Sequence, residues 1–163
     1  MYIEDKYWNN YIGDTDDSLT LVEYLATKQK KEISVGEIFE DFELDTLNGN
    51  FKNQETSLMF VDSWKYMEIC YAIDLIIDLA ALLLECKVNK TVNLCELFGG
   101  DLEEVTIPDV SITATSKEHE IINKVLMDFV AAPLTYDLNE MVPKKDMLEM
   151  AAVCKNLRKE LYE

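Results

Sequence analysis

The stretch AIDLIIDLAALLLEC at residues 72–86 limits what this chain can fold into more than any other segment. Wound as a helix it is apolar on nearly every face, so other elements must enclose it. Asp74 and Asp78 interrupt it, and it is too short to span a bilayer. The rest of the chain therefore has to form a shell around one central helix. At 163 residues and 48% hydrophobic composition it has the material to do so, and a single globular domain over residues 1–163 is expected.

The shell can be read from periodicity and punctuation. Residues 2–12 hold Tyr2, Tyr7, Trp8 and Tyr11 and read as a short strand or an extended arm. A turn at 14–18 follows, with Asp17 as the N-cap candidate of a helix running from 18 to about 31. Ser34-x-x-Glu37 is a capping-box pattern, and Val35, Ile38, Phe39 and Phe42 then repeat at helical spacing. Asn48-Gly49-Asn50 ends that segment as a turn. Residues 57–61 and 66–71 are β-prone and separated by Asp62-Ser63-Trp64-Lys65, the pattern of a hairpin. Gly99-Gly100 breaks the chain after 94–98, and 105–114 reads as a strand. Thr115-x-x-Glu118 opens a helix from 116 to about 130 that stops before Pro133, and a last helix runs from 143 or 144 to 161. The expected class is α+β, with about five helices and a small antiparallel sheet.

Charge carries the functional information. Thirty-two Asp and Glu stand against fifteen Lys and Arg, a formal net charge of -17. Residues 1–115 hold 23 of the acids and only 8 of the bases. Such a field repels nucleic acid and anionic membranes and attracts basic partners. The basic residues are too few and too scattered to neutralise a run of phosphates. The densest acidic elements are Asp14-Thr15-Asp16-Asp17, the outer face from Glu37 to Asp45, and Asp101-Leu102-Glu103-Glu104. With the aromatic at the expected hairpin tip, they nominate Asp14, Asp16, Asp17, Glu37, Glu40, Asp41, Asp62 and Trp64 as partner-binding residues. Tyr7, Trp8 and Tyr11 lie beside the acidic turn, and Trp8 is expected to pack the arm onto the core.

No catalytic signature accompanies the charge. Asp74 and Asp78 stand one helical turn apart and share a stripe with Glu85, a set that could serve a carboxylate-based, metal-dependent enzyme. The simpler reading is a solvated stripe, or carboxylates bonded to loop amides. His119, within Lys117-Glu118-His119-Glu120, reads as a surface histidine. Cys70, Cys86, Cys95 and Cys154 are scattered, with no Cys-x-x-Cys pair, and read as reduced structural thiols. Neither a cofactor nor a metal is expected. The first residues, Met1 to Lys6, lack the basic start and apolar stretch of a signal peptide, so a soluble cytoplasmic protein is expected. A dense carboxylate surface that imitates a phosphate backbone would also suit an acidic regulatory or DNA-mimic adaptor.

The segments Trp8-Asn9-Asn10-Tyr11-Ile12-Gly13, Asp16-Asp17-Ser18-Leu19-Thr20-Leu21 and Tyr24-Leu25 resemble a family of small bacterial immunity proteins of polymorphic-toxin systems. The apolar helix at 73–83 and the ending Met147-Leu148-Glu149-Met150-Ala151 with Leu157-Arg158-Lys159-Glu160-Leu161 are similar to the same family. The resemblance implies a cytoplasmic antidote that neutralises a cognate secreted toxin by one-to-one binding, with no catalysis of its own. It assigns no functional residues.

Overall fold

The computed structural model describes residues 1–53, 58–62, 65–99 and 105–163. Among these, the helices are α1 (Tyr2–Lys6), α2 (Asp16–Lys28), α3 (Val35–Asp41), α4 (Ala72–Asn89), α5 (Leu94–Phe98), α6 (Ser116–Ala131) and α7 (Lys144–Tyr162). The strands are β1 (Glu32–Ser34), β2 (Leu58–Asp62), β3 (Lys65–Ile69), β4 (Val92–Asn93) and β5 (Asp109–Thr113). The protein is α+β. As its sequence demands, α4 is the centre: residues 72–85 are all buried, and α1, α2, α6, α7 and β5 pack around it.

Local chemistry sets most of the boundaries. Ser34 Oγ accepts from the Glu37 amide at 3.0 Å and caps α3. Thr115 and Glu118 form both arms of a capping box at the start of α6. The β2–β3 hairpin is antiparallel, with Leu58 opposite Ile69 and Phe60 opposite Met67. Its inner face buries Leu58, Met67 and Ile69, while Phe60 meets Tyr24 and Phe42 at ring-centroid distances of 5.1 and 6.0 Å. Residue 57, expected to begin the first hairpin strand, lies outside the described residues.

Three features depart from the sequence reading. The opening segment is helical rather than extended. Its Ile3 amide, one of the free donors at a helix start, is taken by Glu85 of α4 at 2.8 Å. Tyr2 and Tyr7 hydroxyls meanwhile bond Glu160 of α7, so distant residues stabilise this short helix. Second, Thr15 rather than Asp17 caps α2, accepting from the Ser18 amide at 3.1 Å. The helix ends at Lys28, where Gln29 turns left-handed, and leaves room for the unforeseen β1. Third, the larger sheet, of order β1-β5-β4, is mixed: β4 pairs antiparallel to β5, but β1 runs parallel to it, Ile33 opposite Ile112. A parallel pair needs a long crossover, and the chain between β1 and β5 supplies one.

Candidate functional site

The acidic turn at 13–17 is built onto α4 by two donors that meet Asp78. Gly13 holds φ at +80°, and a Cβ there would stand 2.2 Å from the Trp8 ring, so only glycine fits. Its amide donates to Asp78 Oδ1 at 3.2 Å, and Ser18 Oγ donates to Asp78 Oδ2 at 2.7 Å. Asp17 points inward, is 4% exposed, and accepts from the Cys70 and Tyr71 amides at 2.8 and 3.0 Å. It thus caps the junction of β3 and α4 and is withdrawn from any docking surface, contrary to expectation. Asp14 and Asp16 remain exposed.

Asp74 and Asp78 are not a solvated stripe. Both are buried, at 4% and 2% exposure, and Asp78 is bonded to the loop above it. Burial, reinforced by the charges of Asp17 and Asp14, pushes Asp78 up to about 7 against the pull of its Ser18 and Gly13 donors. Burial first, then the charges of Asp78 and Asp17, hold Asp74 well above the usual carboxylate range. Burial also raises Asp17, though its two amide donors oppose the shift. Glu85 lies further along α4 and is occupied by the Ile3 amide and by Asn89 Nδ2 at 2.7 Å. Among the described residues, no three His, Cys, Asp or Glu side chains form a metal-holding group. The carboxylate-metal reading therefore has no ligand set there.

A second acidic patch lies at the other end of α2, about 20 Å away at 1.5 Å per residue. Asp41 accepts from Lys28 Nζ at 2.8 Å and from the Tyr24 hydroxyl at 2.5 Å, which helps to raise the Tyr24 phenol beyond burial alone. Glu37 is paired with Lys28 at 3.6 Å and with Lys30. Both acids are thus partly neutralised from within. Glu40 is exposed and has no ion pair among the described residues. Between the two patches the hairpin turns Met59, Val61 and Tyr66 outward, at 50%, 68% and 61% exposure. Asp62 ends β2 beside this surface, and Trp64 lies outside the described residues, as do Asp101, Glu103 and Glu104.

The other sequence candidates are structural. Trp8 is in the core at 3% exposure, and Tyr7 is buried as well. His119 is half-buried, its Nδ1 3.0 Å from the Tyr162 hydroxyl, and lines a cleft of about 800 Å³ with Cys86, Lys90 and Ile112. Burial pushes that phenol up to about 12, so it stays neutral and cannot serve as an anionic partner to the imidazole. All four cysteines are free. Cys70 is exposed, and partial burial together with the Asp17 and Glu68 charges raises its thiol. Burial likewise raises Cys86 and Cys154, which makes none of the three a ready thiolate.

The sequence profile of the family described as Immunity protein 68 matches residues 2–161. The chain belongs to that family. The match spans the chain from α1 into the last turn of α7, so the resemblance read from the opening and closing segments holds for the whole. No curated protein and no solved structure matches the chain. No helix of the described residues is long and apolar enough to cross a membrane. Sequence reasoning did not find the exposed hairpin face of this immunity-family protein. Its signal was present, since Met59 and Val61 alternate with Leu58 and Phe60, but alternation does not say which face is covered.

Proposed function

We propose that this member of the immunity family binds a cognate toxin one to one and neutralises it in the cytoplasm, docking through the hairpin face and the acids at either end of α2. The observation that carries this reading is the apolar outer face Met59, Val61 and Tyr66 of a hairpin packed on α2, in a chain whose Asp14, Asp16 and Glu40 are exposed and have no ion pair among the described residues. Exposed apolar groups inside a polar rim are the composition of a protein interface. A net charge of -17 selects a basic partner, such as a nuclease domain whose cleft accepts phosphates. Glu37 and Asp41 border the hairpin face as acids held in place by Lys28.

The test uses the toxin encoded beside this gene. The two purified proteins should co-elute as a one-to-one complex, and co-expression should rescue growth from the toxin. Separate elution together with unprotected growth would remove the proposal.

A further inference from the structure

The cleft beside His119 exists because one strand stops early. Strand β4 pairs only with Asp109 and Val110, whereas β5 runs on to Thr113. The Ser111 amide donates to Lys31 O on the β1 side at 2.8 Å, so by alternation the Ile112 amide faces the side where β4 has ended. There it meets Cys86 Sγ at 3.3 Å in place of a strand carbonyl. The space left open between β5, α4, α6 and the end of α7 is about 800 Å³, within the ~300–1,000 Å³ of small-molecule sites.

The lining combines apolar surface with groups that donate. Leu83, Ile112 and Leu161, at 5%, 3% and 7% exposure, supply the apolar part. Asn123 has to turn its Oδ1 to Arg158, whose Nε at 2.7 Å can only donate, and this leaves Nδ2 as a free donor. Tyr162 Oη holds His119 Nδ1 at 3.0 Å, and His119 Nε2 has no partner among the described residues. An anion selects the tautomer in which Oη donates to Nδ1 and Nε2 carries the ring proton. Lys87 commits its ammonium to the Glu160 and Leu161 carbonyls at 2.9 and 3.0 Å, which ties the end of α7 to α4. Lys90 is exposed and has no ion pair among the described residues. Thirty-two acids oppose fifteen bases in the chain, yet in this lining Lys87 and Lys90 oppose Glu120 alone among the described residues.

We propose that this cleft binds a small carboxylate with an apolar body. The body lies on Leu83, Ile112 and Leu161, and the head meets the His119 and Asn123 donors in the field of Lys87 and Lys90. The inference goes beyond toxin binding and does not rest on it, since the cleft shares no residue with the hairpin face or with the acids of α2 and α3. One uncommitted ammonium matches a single negative charge. A phosphate dianion would bring a second charge into the field of a chain at -17, and a cation would find one carboxylate among several donors.

The test is a nuclear magnetic resonance titration of the whole chain with hexanoate at about 0.15 M salt. Saturable millimolar binding is expected, with shifts at Ile112, His119 and Asn123. Acetate has the head without the body, and hexylammonium has the body with the wrong charge. Both should bind about tenfold more weakly or worse. Hexyl phosphate should also bind more weakly than hexanoate. Lys90→Gln and His119→Phe should each weaken hexanoate by about fivefold. Lys90 is exposed, so its variant keeps the test valid should His119→Phe disturb the fold. The proposal is overturned by absent saturation, by shifts confined to residues outside the cleft, or by full hexanoate affinity in either folded variant. Equal binding of acetate or hexylammonium, or tighter binding of hexyl phosphate, overturns it as well.

Discussion

The carboxyl groups of Asp17 and Asp74 meet in one hydrogen bond across the contact of α2 with α4, which requires a proton between two buried acids. The surroundings say which acid carries it. Two backbone amides donate to Asp17 and stabilise it as the anion. Asp74 has no such amide donor among the described residues, faces the charges of Asp78 and Asp17, and is the protonated member. The start of α4 is thus held by a neutral acid leaning on a charged one.

Replacing Asp74 by asparagine makes that proton permanent, since the amide Nδ2 can donate to Asp17. Asp74→Asn should therefore raise stability by roughly 1–2 kcal/mol at about pH 8, where retaining the proton costs most. At about pH 4.5 the gain should vanish, because the native acid is protonated there without cost. Thermal unfolding of both proteins at the two pH values measures it. A variant less stable than the parent at both would refute this account of the pair.

Asp78 makes the whole protein pH-sensitive. Its folded value of about 7 exceeds its ordinary 3.8, so its contribution is complete below pH 3.8 and is lost as pH rises through 7. Such a displacement is worth on the order of 4 kcal/mol. Asp74 acts in the same sense. Glu118 and Glu160 act oppositely: their values are lowered, so their contributions are present above 4.5 and fade as pH falls. The melting temperature should peak near pH 5 and decline toward pH 8. In Asp78→Asn the decline should be shallower, and the remaining slope measures repulsion among the other acids, including Asp14, Asp16 and Asp17. Parallel pH profiles for parent and variant would contradict the assignment.

What the sequence revealed and what it hid divide by range. The caps at Ser34 and Thr115 join residues three apart: the Thr115 box is as read, while Ser34 caps α3 with one arm only, because the Glu37 carboxylate turns to Lys28 and Lys30. The enclosure of α4 follows from its composition alone, and the hairpin from two β-prone runs. Helix α1 was hidden because its start is completed by Glu85, 82 positions away. Strands β1 and β4 are three and two residues long and exist only through β5, so neither carries a pattern of its own. The site divides in the same way. Acid content marked the turn at 14–17 and the α3 face, but composition does not show that Asp17 turns inward or that Lys28 reaches both Glu37 and Asp41.

Gly13 joins the acidic turn to the core, and its replacement tests how far the turn depends on that joint. A methyl group would collide with Trp8 at 2.2 Å, and the positive φ adds strain of its own. Gly13→Ala should cost roughly 2–4 kcal/mol, and the Asp78 bond would be lost as the turn shifts. Chemical denaturation gives the number. Gly49 is the control: it too has positive φ, but nothing stands within 4 Å of its missing Cβ, so Gly49→Ala should cost only about 1 kcal/mol. Equal losses at both positions would show that backbone strain, and not the Trp8 contact, sets the requirement.

The two acidic patches differ in how much of their charge is available outside the fold. Asp16 and Glu40 are exposed and uncommitted among the described residues, whereas Asp41 holds Lys28 and Tyr24. Reversing the first two, as Asp16→Lys with Glu40→Lys, should leave the melting temperature within about 2 °C of the parent. It should slow association with the toxin by about tenfold at low salt and flatten the dependence of that rate on ionic strength, because steering is a long-range effect of net field. Dissociation should change less. Asp41→Asn should do the reverse, lowering stability by roughly 1 kcal/mol through the lost Lys28 and Tyr24 bonds while altering the association rate little. Stopped-flow association measured across a salt series, beside the melting curves, separates the two. Should the double reversal leave both the rate and its salt slope unchanged, the toxin does not approach by the α2 and α3 acids.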